Sequence, residues 1–184
     1  MRFALHYRGP LRANGKPAHK NELREHFHRQ LSVLWSQAPL SQRSGLLQAA
    51  DGESSVSLLR SLGGFVFVPL VCEPLKTTCE LRIVMLRPEP PGKLVTAGGD
   101  IDNRLKTLFD ALTLPQEQAI PNGWRPSDDQ QPLYCLLEDD NLITSVTVRT
   151  EQLLEPQAAD SLVDVTIYVR TCVTAMLLGN LDFA

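Results

Sequence analysis

The sequence has no long hydrophobic run. No stretch of about eighteen consecutive apolar residues, enough for a membrane-spanning helix, occurs in its 184 residues. The first residues, Met1 to Arg8, are interrupted by polar groups too early to form the core of a signal peptide. We therefore expect a soluble, cytoplasmic protein with no membrane partner.

The sequence also lacks paired cysteines. Its four cysteines form no C-x-x-C pair, and no histidine lies near them at the spacing of zinc ligands. This pattern indicates neither a disulfide framework nor a zinc site. We expect buried thiols in a reducing compartment, at Cys72, Cys79, Cys135 and Cys172.

An excess of positive charge is absent as well. The formal net charge is -3, which argues against a protein that coats nucleic acid indiscriminately. The distribution is uneven: residues 1–43 hold eight Lys or Arg against two Glu, and residues 44–184 hold ten against nineteen Asp or Glu. This indicates a basic N-terminal face beside an acidic centre. The sequence leaves two roles open for the basic set Arg8, Arg12, Lys16 and Lys20: contacts with nucleic-acid phosphates, or ordinary solvated surface charges.

The length and the hydrophobic fraction of 43% are typical of one globular domain with a sizeable core. Alternation predicts a first strand over residues 3–7, ended by Gly9-Pro10. Helical spacing then predicts a helix from Lys20 or Asn21 to about Gln37, with Asn21 as its cap. We expect Arg24, His28 and Arg29 on the polar side of this helix, and we assign no catalytic role to His19, His26 or His28.

The rest of the chain predicts an α+β fold. Residues 38–61 are punctuated by Pro, Ser and Gly, which indicates an irregular surface excursion. Two β-rich runs follow, and we expect them to form an antiparallel pair. The order β, α, β, β, α, β, β predicts a mixed or antiparallel sheet with helices packed on it. The later strands are expected at 65–71, 79–86, 142–149 and 162–169, and a long loop at 116–131.

A stretch that combines carboxylates with a lysine and an amide begins at Gly98-Gly99 and continues into a predicted helix over residues 101–112. Its apolar residues recur at helical spacing and predict a packed stripe. Asp102, Lys106 and Asp110 are four residues apart, so they share a different face, and Asp100 lies at the helix entrance. The apolar stripe consists of Ile101, Leu105, Leu108, Phe109 and Leu112.

Carboxylates dominate this stretch, and a second acidic group, Glu138-Asp139-Asp140, follows it. Three carboxylates near one point, without cysteine or histidine, would suit Mg²⁺ or Mn²⁺ and phosphodiester chemistry. The alternative is purely structural: helix-capping aspartates, an Asp102–Lys106–Asp110 ladder of surface ion pairs, and an acidic turn. The residue pattern by itself leaves both alternatives open.

Together, Asp100-Ile101-Asp102-Asn103, Lys106 and Phe109-Asp110-Ala111-Leu112 resemble the RusA family of Holliday-junction resolvases. In that family a D-x-D-N-x-x-K motif is followed by F/L-D-A-L and, later, by a D-D pair before a strand. The resemblance covers residues 100–150, where Asp139-Asp140 provide the pair, and the intervals within the helix match without a gap.

The resemblance implies a RusA-like fold and assigns roles to individual residues. Asp100, Asp102 and Asp140 would bind magnesium, and Lys106 would be the catalytic lysine. Asn103 and Asp110 would support them through hydrogen bonds to the loop or to Lys106, with Asp139 as a less direct candidate. Family members are homodimers that bind four-way DNA junctions and, with magnesium, cut two strands symmetrically.

This chain departs from compact family members in length. The excess falls near residues 38–61 and 115–133, which are expected to be insertions in a single RusA-like domain. The expected function is a magnesium-dependent endodeoxyribonuclease that resolves Holliday junctions in DNA recombination and repair. The alternatives are a catalytically inactive RusA-like module that binds nucleic acid or protein, and a magnesium enzyme acting on a smaller phosphoester.

Overall fold

The computed structural model describes residues 1–49, 56–88, 101–120, 123–126, 130–155, 162–177 and 179–183. Within these ranges the chain has an α+β fold with two mixed sheets, which confirms the expected class. The strands are β1 (Arg2–Pro10), β2 (Arg60–Leu62), β3 (Phe65–Val71), β4 (Thr77–Arg87), β5 (Leu133–Leu137), β6 (Ile143–Gln152) and β7 (Leu162–Val173). The helices are α1 (Pro17–Trp35) and α2 (Ile101–Leu112).

The larger sheet has the strand order β1-β7-β4-β6. β7 runs antiparallel to both β1 and β4, whereas β4 and β6 are parallel. Along β7, Val163, Val165, Ile167 and Val169 are buried and alternate with more exposed residues. This period of two gives the sheet one face in the core and one face toward solvent.

The smaller sheet has the order β2-β3-β5, with β2 antiparallel and β5 parallel to β3. The predicted antiparallel pairing of the runs at 65–71 and 79–86 is therefore wrong, because β3 and β4 belong to different sheets. Every residue from Phe67 to Val71 is buried, which is typical of a strand covered on both faces and paired on both edges. A short 3₁₀ turn over Glu73–Leu75, followed by Lys76 at φ 50°, redirects the chain into the other sheet.

Helix α1 begins at Pro17, earlier than predicted. Proline suits the first turn because the amide hydrogen that it lacks would have no partner there. Asn21 is therefore not a cap: it is buried inside the helix, where its side-chain oxygen accepts a hydrogen bond from Arg24. The helix packs on β5, α2 and β1. It also covers the free edge of β1, since the Gln30 side chain bonds both backbone groups of His6.

Helix α2 forms over the predicted residues, but its buried face is rotated. Leu108 and Leu112 are buried as expected, whereas Ile101, Leu105 and Phe109 are only half-buried. The loop before α1 lies against this helix and covers residues of α2 that the apolar stripe does not include. Arg104 donates to the Leu11 carbonyl at 2.7 Å, and the Gly15 amide donates to Thr107 Oγ1 at 2.9 Å. The buried set is Arg104, Thr107, Leu108, Ala111 and Leu112.

Residues 38–61 contribute to the core as well as to the surface. Leu40 and Leu46, in a 3₁₀ helix over Leu40–Leu47, are buried together with Leu58. The Leu58 amide donates to the Leu46 carbonyl at 2.9 Å, which ties the two ends of the segment together. The prediction of an irregular surface excursion is therefore wrong for these leucines, and residues 50–55 lie outside the described ranges.

The described core is continuous: one cluster of buried side chains includes members of both sheets and both helices. All four cysteines are free thiols; Cys72, Cys79 and Cys135 are buried as expected, whereas Cys172 is half-buried. In the part of the chain that the structure describes, neither helix is long and apolar enough to cross a membrane.

Candidate functional site

The predicted motif residues lie along the exposed side of α2. Asp102 is in its first turn and is exposed, as is Lys106, whereas Asp110 near the other end is half-buried. A rise of about 1.5 Å per residue separates Asp102 from Asp110 by about 12 Å along the axis, with Lys106 halfway. Asp100 lies outside the described residues.

The structural alternative of an ion-pair ladder on α2 is not formed. Asp110 Oδ2 accepts a hydrogen bond from Lys20 Nζ of α1 at 2.5 Å, so its partner is not Lys106. Among the described residues, Asp102 accepts only the backbone N–H of Asn103, at 2.7 Å. Asp102 and Lys106 therefore have no ion pair within the described ranges, and both stay available to a ligand.

The C-terminal end of α2 is held by a buried arginine. Arg24 of α1 donates from Nη2 to the Asp110 carbonyl at 2.7 Å and from Nε and Nη2 to the Thr113 carbonyl at 3.3 Å. These carbonyls would otherwise lack partners, because the last turn of a helix has no following amides. Burial lowers the pKa of Arg24 to about 10, so the guanidinium is still charged at neutral pH.

The second acidic group lies in the turn between β5 and β6, close to the end of α2. The Leu114 amide donates to the Leu137 carbonyl at 2.9 Å, which joins the two elements. Glu138 fixes the turn: its carboxylate accepts from Arg60 Nε at 2.7 Å and from the Glu73 amide at 3.0 Å. Glu138 is therefore a structural anchor.

Asp139 and Asp140 have different environments although they are neighbours. Asp139 Oδ1 accepts from the Asn141 amide at 2.9 Å and caps a 3₁₀ turn over Asp140–Leu142. The Asp140 side chain is exposed and, among the described residues, makes no hydrogen bond or ion pair. The predicted roles of Asp140 as a metal ligand and of Asp139 as its support stay predictions.

A pocket of about 450 Å³ lies where the end of α2, the face of α1 and the β5–β6 turn meet. Five carboxylates line it against two cationic side chains, so it attracts cations. Asp102 and Lys106 do not line it. The charged lining residues are Lys20, Arg24, Asp110, Glu117, Glu138, Asp139 and Asp140.

Of the two predicted metal ligands that the structure describes, Asp140 lines this pocket and Asp102 does not. Within the described ranges, no three Asp, Glu, His or Cys side chains converge closely enough to hold a metal ion. Because Asp100 is outside these ranges, the shared shell of Asp100, Asp102 and Asp140 stays a prediction. The carboxylates of Asp102 and Asp140, which make no ion pair among the described residues, have the oxygen chemistry that Mg²⁺ and Mn²⁺ prefer.

Half of the predicted phosphate-binding set is already engaged. Arg8 pairs with Glu155 and lies 3.8 Å from Asp164, and Lys20 pairs with Asp110. Arg12 and Lys16 are exposed and have no ion pair among the described residues. The set therefore divides into two paired and two available side chains.

Sequence reasoning missed the polar face of α1 that supports the site. We expected Arg24 and His28 on the polar side, yet both are buried. His28 Nδ1 accepts the Tyr134 amide at 2.9 Å, which anchors the start of β5. The signal was the spacing of Lys20, Arg24 and His28, four residues apart on one helix face.

Comparison of the chain with protein-family models, with curated proteins and with solved structures finds no match.

Proposed function

We propose that this chain is a magnesium-dependent, structure-selective endodeoxyribonuclease of the RusA type that resolves four-way DNA junctions. One observation supports it most. Asp102, Lys106 and Asp140, the described residues with predicted catalytic roles, are exposed and make no ion pair among the described residues, whereas Asp110 pairs with Lys20. These charged groups stand beside a fixed framework, so a ligand could bind them without first breaking an ion pair within the described part of the protein.

Each residue has a distinct proposed role. Asp100, Asp102 and Asp140 would hold Mg²⁺, or Mn²⁺, through carboxylate oxygens. The bound ion would supply an activated water and would offset charge on the scissile phosphate. Lys106 would bind that phosphate and stabilise the negative charge that develops on it. Glu138 and Arg24 would fix the β5–β6 turn and the end of α2 against each other.

A homodimer is part of the proposal. A four-way junction with two-fold symmetry presents two equivalent scissile phosphates, which two copies of one site can address together. Arg12 and Lys16 are the proposed phosphate contacts of the N-terminal set, since both are exposed and unpaired in the described part of the chain.

One observation favours the alternative, a catalytically inactive module that binds nucleic acid or protein. Asp140 lines the pocket at the end of α2, whereas Asp102 and Lys106 are outside it. A site divided in this way would bind phosphates without cutting them. The two functions differ in a measurable way, because only the nuclease requires metal for turnover.

The test uses a synthetic four-way junction, purified protein and Mg²⁺, with EDTA as the metal-free arm. Wild-type protein is expected to cut two strands symmetrically only with Mg²⁺. Asp102→Asn and Asp140→Asn should each lower the rate about 100-fold or more, because a metal contributes several kcal/mol to transition-state stabilisation. Lys106→Ala should lower it about 100- to 1,000-fold.

The matched control is Glu22→Gln, which removes an exposed carboxylate of α1 outside the pocket. Its rate should equal the wild-type rate. Junction binding without incision in Mg²⁺ and Mn²⁺, unchanged in Asp102→Asn, would establish the inactive module instead. Incision of small phosphoesters but not of junctions would assign the enzyme to a smaller substrate.

A further inference from the structure

The solvent face of the larger sheet carries an ordered array of arginines. Cross-strand pairing aligns Arg2 with Arg170 and Glu80, and aligns Tyr168 with Arg82 in the next row. Arg2, Arg82 and Arg170 are exposed. The charged groups aligned on this face are five arginines, Arg2, Arg8, Arg82, Arg149 and Arg170, and three carboxylates, Glu80, Glu151 and Asp164.

This face is therefore positive on a chain whose net charge is -3. Arg2 lies directly opposite Arg170 on the neighbouring strand, and like charges in that position repel each other. Glu80 offsets Arg170 through a contact of 3.2 Å, whereas Arg2 has no ion pair among the described residues. An anion bound between the two guanidinium groups would remove the repulsion.

An aromatic side chain stands next to this arginine pair. Tyr168 is 42% exposed, and the guanidinium carbon of Arg82 lies 4.4 Å from the centre of its ring. The exposed fraction of Tyr168 leaves part of its side chain accessible to a planar group. Exposed aromatic rings beside arginines on an open sheet are typical of surfaces on which unpaired bases stack.

Two adjoining cavities meet at the arginine pair. The lining of one, of about 470 Å³, includes Arg2, Arg82, Tyr168 and Arg170 together with the single carboxylate Glu80, and the lining of the other, of about 700 Å³, includes Arg2, Arg170, Cys172 and Met176. Arg2 and Arg170 belong to both, so they stand where a chain-like ligand would pass from one cavity to the next. A polymer with regularly spaced negative charges matches this shape.

We propose that this sheet face binds single-stranded DNA, with phosphates on Arg2 and Arg170 and a base stacked on Tyr168. The choice of DNA rests on the proposed nuclease function. A single strand fits better than a duplex, because bases inside a duplex present no free face to Tyr168.

The position of the face suits a nuclease that acts at branch points. Ser145 of β6 lies opposite Glu80, in the row of the arginine pair. Ser145 is five residues after Asp140, a span of at most roughly 17 Å in an extended chain. A DNA strand that leaves a junction at the turn of Asp140 would therefore reach the row of Arg2 and Arg170 within a few nucleotides.

The experiment measures binding of a fluorescent 20-nucleotide oligothymidylate in EDTA across a series of KCl concentrations. The double variant Arg2→Gln/Arg170→Gln should reduce the slope of log affinity against log salt by about 1.4, since each phosphate contact on a single strand contributes about 0.7. Tyr168→Ala should weaken binding about 5- to 100-fold, while Tyr168→Phe should bind like wild type.

The control Arg29→Gln/Arg125→Gln makes the same charge change at exposed positions away from the sheet face and should keep the wild-type slope. If the double variant at Arg2 and Arg170 does not fold, Arg2→Gln alone should lower the slope by about 0.7.

Three results would overturn the inference. The slope of log affinity against log salt could keep its wild-type value in the Arg2 and Arg170 variants. Inorganic phosphate could displace the oligonucleotide when its concentration equals that of the phosphate groups of the oligonucleotide. This result would indicate a site for small anions. Sedimentation could show that the sheet-face variants dissociate a wild-type dimer, which would assign the face to a second copy of the chain. If the protein does not cut junctions but still binds the oligonucleotide through Arg2, only the proposed nuclease function is refuted.

Discussion

At the scale of single residues, the partner of a carboxylate determines what it can do. Asp139 and Asp140 are chemically identical and adjacent, yet Asp139 holds the Asn141 amide and Asp140 holds nothing in the described structure. Glu138, one residue earlier, is fixed by Arg60. Only Asp140 keeps its oxygens free for a ligand. Three successive acidic residues therefore divide into an anchor, a cap and a candidate ligand.

The cysteines yield a prediction about thiol reactivity. Burial raises the pKa of Cys72, Cys79 and Cys135 to about 12, so these thiols stay neutral and unreactive at pH 8. Cys172 is only half-buried. Iodoacetamide at pH 8 should therefore modify Cys172 first in the native protein and all four cysteines after denaturation, as measured by peptide mass spectrometry.

The same shift predicts the direction of pH dependence. The pKa of a buried thiol is higher folded, about 12, than its ordinary value of 9.0, so unfolded thiols ionise first as the pH rises. Stability should be unaffected by these groups below pH 9 and should fall between 9 and 12. If iodoacetamide labelled the buried and the half-buried cysteines equally in the native state, the burial that raises these pKa values would be contradicted.

At the scale of elements, the candidate site depends on contacts between the two helices, of which the Arg24 hydrogen bonds are the most buried. Arg24 of α1 satisfies the carbonyls of Asp110 and Thr113 at the end of α2. Replacing it by methionine keeps most of the volume but leaves those carbonyls without donors. Arg24→Met should lower the free energy of unfolding by about 2–4 kcal/mol, measured by urea denaturation.

The control for this prediction is Arg29→Met, which changes an exposed arginine on the same helix. Its effect should stay within about 0.5 kcal/mol. Arg24→Lys should recover only part of the loss, because an ammonium group cannot reproduce the planar fork that reaches two carbonyls. Equal losses for Arg24→Met and Arg29→Met would show that the cap contributes nothing.

The elements that sequence reasoning predicted correctly are those governed by local periodicity. The bounds of α2 and the alternation of β7 depend on spacing along one segment, and both were predicted. The partners of β3 were not, because a continuous apolar run has no period to indicate which strands lie beside it. The predicted start of α1 at Lys20 or Asn21 is too late, because the apolar spacing gives no signal in the first turn that Pro17 begins.

At the scale of the whole molecule, the candidate site shows the same limit of prediction from local sequence spacing. The motif residues on α2 could be identified from their spacing, but the structure was needed to see that Asp110 pairs with Lys20, ninety positions away in the chain. The helical spacing of Arg24 and the acidic run at Glu138 are visible in the sequence, but the carbonyls and amides that give both residues their roles are brought near only by folding. Local spacing indicated the chemistry, and tertiary contacts decide which groups remain free for it.

The excess of carboxylates around the pocket predicts that divalent metal stabilises the whole fold. A ligand that binds only the folded state adds about 1.4 kcal/mol at ten times its Kd, which corresponds to a rise of roughly 3–6 °C in Tm for a chain of this size. Scanning calorimetry in Mg²⁺ should show this rise, and EDTA should remove it.

The variants separate a specific site from general screening of charge. Asp140→Asn should abolish the rise in Mg²⁺ and, in EDTA, should leave Tm unchanged or slightly higher, because it removes repulsion among the pocket carboxylates. Glu22→Gln should keep the full rise. A rise that NaCl of equal ionic strength reproduces, and that Asp140→Asn retains, would mean that the carboxylates only repel one another. Asp140 would then lose its proposed role as a metal ligand, while the structural roles of Glu138 and Arg24 would stand, since those rest on hydrogen bonds within the fold.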